Sequence, residues 1–461
     1  MTFSGKLSDL KRCFQGVVPS IITTSDGEGV PNITFISHVY YVDEQHVALS
    51  CQFFNKTRKN LDENPLACVE VWEPTTLQAY RLHLRFLRSE KAGPLFDTMA
   101  LRIDAIASHT GMSGVFRLIA ADVFAVKAVE VVEGFLVEIP PDLPAEPISI
   151  EGLRTEVRGL QCISDRVNRA ADLETLLHNV LEALDDYFHF SHTSVLLFEE
   201  AHQQLVTLAS RGYGESGVGA EVPVGQGVIG TVARERRVLR LTNLEADLDY
   251  ARAIRREAQA ERGGPALKME VPLPGLPDAQ SVLAIPLAIG DRLIGVLSAE
   301  DRDPMRFGEW HEAYLEIVGN QIALGVERML NRAEEQDEPV HATPAPALPP
   351  PPAKARHRTL TFYKSDDAIF VDDEYLIRNV PARILWKVLR ESQRTGRTEF
   401  SNRELRLDAW LGLPPVKANL ESRLILLRQR LREKCPDIQL TPTGRGRFAL
   451  RTCPGIERTE R

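Results

Sequence analysis

Apolar and polar positions alternate, or apolar ones run on briefly, through the first third of the chain. GVVPSIITTSD, PNITFISHVYYVD and HVALSCQFF carry β-branched and aromatic residues at strand spacing. DGEGVP and VDEQH, between them, have turn composition. LACVEVW and LHLRFLRSE continue the pattern, and FRLIAADVFAVKAVEVVEGF predicts two further strands. Strands this short and this numerous predict a small, mainly β barrel. The period changes at Asp172, a capping residue ahead of Leu173, Leu176, Leu177, Val180, Leu181 and Leu184 at helical intervals. Strand patterns SVLLFEE and LVTLASRGY follow, then VPVGQGVIGTVA, SVLAIPL, RLIGVLSAED and a last helix, WHEAYLEIVGNQIALGVERML. Helices alternating with antiparallel strands predict an α+β domain. Leu315, Val318, Ile322 and Val326 form a stripe on that last helix, expected to be core rather than a dimer seam.

The remaining residues change pattern again. HRTLTFYKSDDAIFVDDEYLIRN predicts short strands, and VPARILWKVLRESQRTG a helix with Ile384, Leu385, Val388 and Leu389 on one face. Ser401 and Glu404 have capping-box spacing. A third helix is expected from Pro414-Pro415, with Leu420, Leu424, Leu427 and Leu431 as its core stripe. CPDIQLTPTGRGRFALR then predicts a β-hairpin with glycines at its tip. Prolines divide the whole. The segment 139–152 breaks the strand pattern, and 334–358 is a Pro/Ala-rich spacer with polyproline II character. The expected units are 1–140, 151–333, a linker over 334–356, and 357–455. A chain of 461 residues accommodates about three domains of ~150 residues.

Composition narrows the function classes. No apolar run reaches the roughly 18 residues of a membrane span, and MTFSGKLSDLKRCF lacks a signal-peptide core. Six cysteines without CxxC or metal-type spacing are expected to be reduced, buried thiols in a cytoplasmic protein, with no metal site and no membrane partner. The net charge of −9 hides an asymmetry: from Arg356 onward there are 22 Lys+Arg and 14 Asp+Glu, so +8, leaving −17 on the rest. A basic tail on an acidic body fits a nucleic-acid-binding module, although a basic surface also serves solubility or a protein partner.

Two stretches carry candidate chemistry. In FFNKTRKNLDENP, Lys56, Arg58 and Lys59 crowd beside Thr57 where a strand gives way to a helix. Asn55 or Thr57 can cap that helix, whose amino-terminal N–H groups favour an anion such as phosphate. The alternative is a solvated basic turn. In the third helix of the tail, Asn419, Arg423 and Arg430 share a face flanking the leucine stripe, with Arg428 on the other flank. Arg445 and Arg447 stand at the hairpin tip. Arginines so placed suit phosphates and guanine edges, or solvate a helix exterior.

Three resemblances follow from these motifs. The stretch from Pro19 to Val71, with its DGEGVPN turn, TFIS, VALS and KTRKNLDENP, resembles the FMN-binding split barrel of pyridoxamine phosphate oxidase-like proteins. The resemblance implies that Lys56, Thr57, Arg58 and Lys59 grip the phosphate of FMN. It implies that Thr34, Ile36, Ser37, Ser50 and Gln52 line the flavin, in a homodimer. The family's arginine-containing substrate motifs have no counterpart before Pro140, so no catalytic residue is assigned. VGQGVIGTVA, SVLAIPL and IGVLSAED with Phe307 resemble a GAF domain, which implies a sensor of a small-molecule effector. LESRLILLRQRL with GRGRF resembles the winged-helix effector domain of response-regulator transcription factors. That resemblance implies double-stranded DNA contacts by Lys417, Asn419, Arg423, Arg428 and Arg430 on the helix and by Arg445 and Arg447 on the wing. Arg447 replaces the family's usual aromatic at the tip, and no receiver domain is present. Together the three imply a ligand- or redox-responsive transcriptional regulator; the alternative is an FMN-dependent oxidoreductase regulated by its GAF domain.

Overall fold

The computed structural model of the chain describes residues 3–36, 38–51, 55–132, 150–213, 218–260, 275–335, 357–364, 367–411, 420–444, 446–453 and 455–461. Three sheets-and-helices units follow one another along it.

The first unit contains β1 (Ser20–Ser25), β2 (Pro31–Ile36), β3 (Val39–Asp43), β4 (His46–Cys51), α1 (Asn55–Glu63), β5 (Leu66–Trp72), β6 (Ala79–Glu90), α2 (Pro94–His109) and β7 (Ala120–Val131). Its strands form one seven-stranded sheet in the order β2-β1-β5-β6-β7-β4-β3. Local chemistry sets the first turn. Asp26 Oδ1 accepts from the N–H groups of Glu28 and Val30, at 3.1 and 2.8 Å, and Gly29 takes a left-handed φ of +85°. That joins β1 to β2 antiparallel, with Ile22 opposite Thr34. Two expectations change here. Two strands were expected from 116–135; its described residues, 116–132, supply one twelve-residue strand, β7. Residues 94–109, for which the strand-rich pattern offered no element, form α2, opened by Pro94 in its first turn.

The middle unit contains α3 (Ile150–Arg169), α4 (Leu173–Phe188), β8 (His192–Glu199), β9 (Gln204–Arg211), β10 (Glu221–Pro223), α5 (Gly227–Glu235), β11 (Leu239–Leu241), α6 (Leu244–Ala260), β12 (Ser281–Ile289), β13 (Arg292–Asp301) and α7 (Glu309–Glu335). Asp172 caps α4 as expected, accepting from the Thr175 N–H at 2.8 Å. The sheet runs β10-β9-β8-β13-β12-β11 and is apolar on both faces. Leu283, Ile285 and Leu287 of β12 pack toward Leu315, Val318, Ile322 and Val326 of α7, all fully buried. Val282 and Ala284, on the other face, pack toward Val228 and Val232 of α5. Met99, Ala105 and Ile106 of α2 join that second cluster, so the first and middle units share a core. Polar contacts reinforce the joint: Thr242 Oγ1 donates to the Gln15 carbonyl at 2.9 Å, and Arg102 pairs with Asp247.

The carboxyl-terminal unit contains β14 (Arg358–Tyr363), β15 (Ala368–Val371), β16 (Glu374–Arg378), α8 (Asn379–Thr395), β17 (Glu399–Ser401), α9 (Asn402–Leu407), α10 (Leu420–Lys434), β18 (Ile438–Gly444), β19 (Arg447–Thr452) and β20 (Ile456–Glu460). A four-stranded sheet, β16-β15-β14-β20, and a three-stranded one, β17-β19-β18, flank the three helices. β20 lies parallel to β14 and carries the unit past the expected edge at 455. The capping box at α9 forms: Ser401 Oγ accepts from the Glu404 N–H at 3.3 Å and Glu404 accepts from the Ser401 N–H at 3.2 Å. Leu420, Leu424, Leu427 and Leu431 are all buried in the core of this unit. Pro414 and Pro415 lie outside the described residues. All six cysteines are free thiols, four of them buried. Among the described residues no helix is long and apolar enough to cross a membrane, and no cluster of three His, Cys, Asp or Glu could hold a metal.

Candidate functional site

The basic turn of the first unit sits on α1, which follows β4. Lys56 is exposed on the first helical turn, and Thr57 is buried, with its hydroxyl accepting from Asn32 Nδ2 at 3.0 Å. Thr57 therefore lies inside the helix, not at its cap. Arg58 turns inward: Nη1 lies 2.9 Å from Asp122 Oδ1, Ser89 also donates to that carboxylate, and Asp62 sits 3.1 Å from Nη2. Its guanidinium stacks 4.7 Å from the centre of the Phe86 ring. Burial pushes the Asp122 carboxyl above its usual range, against the pull of Ser89 and Arg58. Lys59 is exposed and lies 3.8 Å from Glu63. The four residues expected to act together thus divide. Lys56 is exposed, while Arg58 serves an internal carboxylate.

Thr34 and Ile36 share the face of β2 that turns toward Ile22, whereas Ile33 and Phe35 share the exposed face. Ser50 lines a small cavity of about 20 Å³ with His38, Arg102, Phe116 and Asp247 at the joint with the middle unit. His38 is held well below the usual histidine range, first by burial and then by the Arg102 charge. Ser37 and Gln52 lie outside the described residues.

The middle unit carries a polar group inside its second core. Glu300 of β13, paired with His192 of β8, is 7% exposed and accepts from the Leu276 N–H at 2.5 Å. Burial pushes its carboxyl up to about 7, although the Leu276 N–H and the Tyr213 hydroxyl pull the other way. His192 Nδ1 and Ser298 Oγ, near it on the sheet, have no hydrogen-bond partner among the described residues. No local pattern marks this group, because Glu300 and His192 meet only through strand pairing.

In the carboxyl-terminal unit, the arginine-bearing helix α10 lies against α4 and β9 of the middle unit. Arg423 is 7% exposed, and its Nη2 lies 2.6 Å from Glu199 Oε1. Arg428 Nη1 lies 4.0 Å from Glu174, which also pairs with Arg432. Arg378, at the end of β16, pairs with Glu221. Burial pushes the Glu199 carboxyl upward, but Arg423, Gln204 and His202 outweigh it and hold the group below its usual range. Arg430 lies across Gly219, where a Cβ would sit 3.2 Å from its Nε and 2.7 Å from Leu426 Cδ1. A side chain here would push Leu426 and Arg430 aside, and the φ of +83° itself favours glycine. Of the arginines expected on that helix, Arg423 and Arg428 therefore meet carboxylates of the middle unit, while Arg430 lies 3.7 Å from Glu433 of its own helix. Arg447 is exposed on the hairpin, opposite Ser401. Lys417, Asn419 and Arg445 lie outside the described residues. The acids Glu174, Glu199 and Glu221, and the arginines Arg378 and Arg432, escape sequence reasoning. Their pairing depends on docking of distant units, and the only signal was the opposite net charge of tail and body.

Residues 170–327 match the GAF domain family, and the chain carries a GAF domain there. No curated protein matches the chain. Among solved structures, the GAF domain from a phosphoenolpyruvate-protein phosphotransferase of Coxiella burnetii is 22% identical, covering 40% of this chain and 97% of its own length, with a TM-score of 0.32. The corresponding Acinetobacter GAF domain is 18% identical over 39% of this chain and 97% of its own, with a TM-score of 0.31. An FMN-binding protein from Syntrophomonas wolfei subsp. wolfei is 19% identical over 28% of this chain and 88% of its own, with a TM-score of 0.23.

Proposed function

We propose that this protein is a ligand- or redox-responsive transcriptional regulator. Its carboxyl-terminal unit binds double-stranded DNA as a winged helix, and its GAF domain and a flavin-type split barrel receive the signal. The observation that carries this reading is the cationic α10, with Arg423, Arg428, Arg430 and Arg432, packed beside an arginine-tipped hairpin and docked directly on the GAF domain. In this reading the described arrangement is the closed form, because the cations that would meet phosphates meet carboxylates instead. A signal changes DNA affinity only if its ligand binds the closed and open forms unequally.

FMN, when bound, would supply a reversible redox couple. Lys56 and the first-turn N–H groups of α1 would hold its phosphate, since Lys56 is exposed and that end of a helix favours an anion. Thr34 and Ile36, on the inner face of β2, would flank its ring, while Arg58 would support the turn through Asp122. The exposed apolar stripe of Ile33, Phe35 and Leu66, 68, 71 and 54% exposed, fits a second copy of the chain and so the expected homodimer.

The test is fluorescence anisotropy of labelled duplex with the full chain, between about 50 and 200 mM salt, where phosphate contacts make affinity fall steeply. A variant lacking Glu174 and Glu199 carboxylates is measured beside it to open the helix. Binding by either, weakened by salt and by Arg447→Gln, supports the reading; failure of both to bind any duplex at low salt sinks it. The flavin arm is separate: protein that stays colourless and ignores added FMN rules out the flavin.

A further inference from the structure

Between the GAF domain and the carboxyl-terminal unit lies a cleft with a cavity of about 70 Å³. Leu197 and Val206 wall it on the GAF side, Ile377 and Leu426 on the other. Its polar lining includes the Arg378–Glu221 ion pair and Arg423. One nitrogen of that buried guanidinium is bound to Glu199, while Nη1 has no hydrogen-bond partner among the described residues. Arg430 lines the same cleft. A buried, charged donor left without an acceptor is unfavourable, so an acceptor belongs beside it. Apolar walls with a few converging polar groups are the pattern of a small-molecule site, and here the two carboxylates of the lining are already paired with Arg423 and Arg378. The cavity is about half the roughly 150 Å³ that admits a benzene, so its enclosed part suits a body of a few carbon atoms.

We propose that this cleft is a binding site for a small organic carboxylate with a short apolar body. The carboxylate accepts from Arg423 Nη1, with Arg430 beside it, and the hydrocarbon lies on Leu197, Val206, Ile377 and Leu426. Arginine suits this role because its planar fork can serve Glu199 on one nitrogen and a ligand on the other. The ligand shares Arg423 with Glu199, the carboxylate that holds α10 against the GAF domain. Any effect of the ligand on DNA affinity rests on the regulator reading; its binding does not.

The test is calorimetric titration of the full chain, free of DNA, with sodium butanoate, and with butylammonium chloride and sodium phosphate as controls. Saturable butanoate binding is expected, with no binding of butylammonium. Arg423→Gln should weaken it by about tenfold or more, as loss of a charge-assisted hydrogen bond does. Lys91→Gln, a remote exposed cation, should leave it unchanged. If Arg423→Gln loses the docked arrangement, Arg430→Gln supplies the same comparison. Absence of butanoate binding, binding by both arginine variants as tight as the parent's, or phosphate binding as tightly as butanoate would each overturn the proposal. Because no duplex is present, these outcomes leave the regulator reading to its own test.

Discussion

Single residues show where this protein keeps charge out of water. Glu300 is the sharpest case, its carboxyl pushed up to about 7 from 4.5 mainly by burial. A raised carboxyl means the folded state holds the proton more tightly than the unfolded chain. The associated stability is fully present below pH 4.5 and is lost as pH rises through about 7. The gap corresponds to about 3 kcal/mol. Glu300→Gln, which keeps an acceptor for the Leu276 N–H without a charge, should therefore melt higher than the parent at pH 8, and the difference should vanish toward pH 4.5. Melts showing the same difference at both ends would contradict this account. Arg58 and Lys56 separate two roles that look alike in sequence. Arg58→Ala leaves Asp122 buried without its cation. The loss of unfolding free energy should be about 2 kcal/mol, less than the roughly 3–5 of a fully buried pair, because Arg58 is 31% exposed. Lys56→Ala, on an exposed side chain, should stay within about 0.5 kcal/mol in denaturant titration, while lowering retention of added FMN.

At the scale of elements, most of the fold was legible because local signals act locally. Asp172, Ser401 and Glu404 cap helices where their spacing says they should, and the leucine stripe of α10 and the stripe of α7 are buried as the 3.6 period requires. The misses have physical reasons. Met99, Leu101, Ile103 and Ala105 of α2 are all buried, so a helix packed on several sides shows a strand-like alternation. β7 crosses two pairing partners, β4 and β6, and so runs longer than its turn signals suggest. The VGQGVIG motif also gains a cause. Gly225 and Gly227 take left-handed φ angles of +83° and +62°, and a Cβ on Gly230 would run into the Pro223 carbonyl. Gly230→Ala should therefore cost about 1–3 kcal/mol through overpacking at the start of α5. Gly308→Ala, whose Cβ would meet only His311 at 3.9 Å, should be nearly neutral in the same chemical denaturation experiment.

At the scale of the whole molecule, the sequence disclosed opposite charge on body and tail but not that the two meet. Docking sets Glu199 against Arg423, Glu174 against Arg428 and Arg432, and Glu221 against Arg378, with Leu426 packed over Gly219 between them. Only Arg423 among these is deeply buried; the pairs on Glu174 are partly exposed and individually weak. Their joint effect is on specificity more than on stability, since the same cations cannot serve carboxylates and phosphates at once. In the double variant Glu174→Gln/Glu199→Gln the buried Arg423 loses its acceptor, and the docked form loses its charge complementarity while α10 keeps its own leucine core. Three outcomes should coincide: faster amide exchange on the exposed flank of α10, a larger radius of gyration, and duplex binding about tenfold tighter than the parent, equivalent to about 1.4 kcal/mol released from the closed form. Salt discriminates the cause. Added salt screens the surface pairs and weakens phosphate contacts together. The affinity ratio between variant and parent should therefore shrink as salt rises, and a ratio independent of salt would point to altered packing instead of released charge.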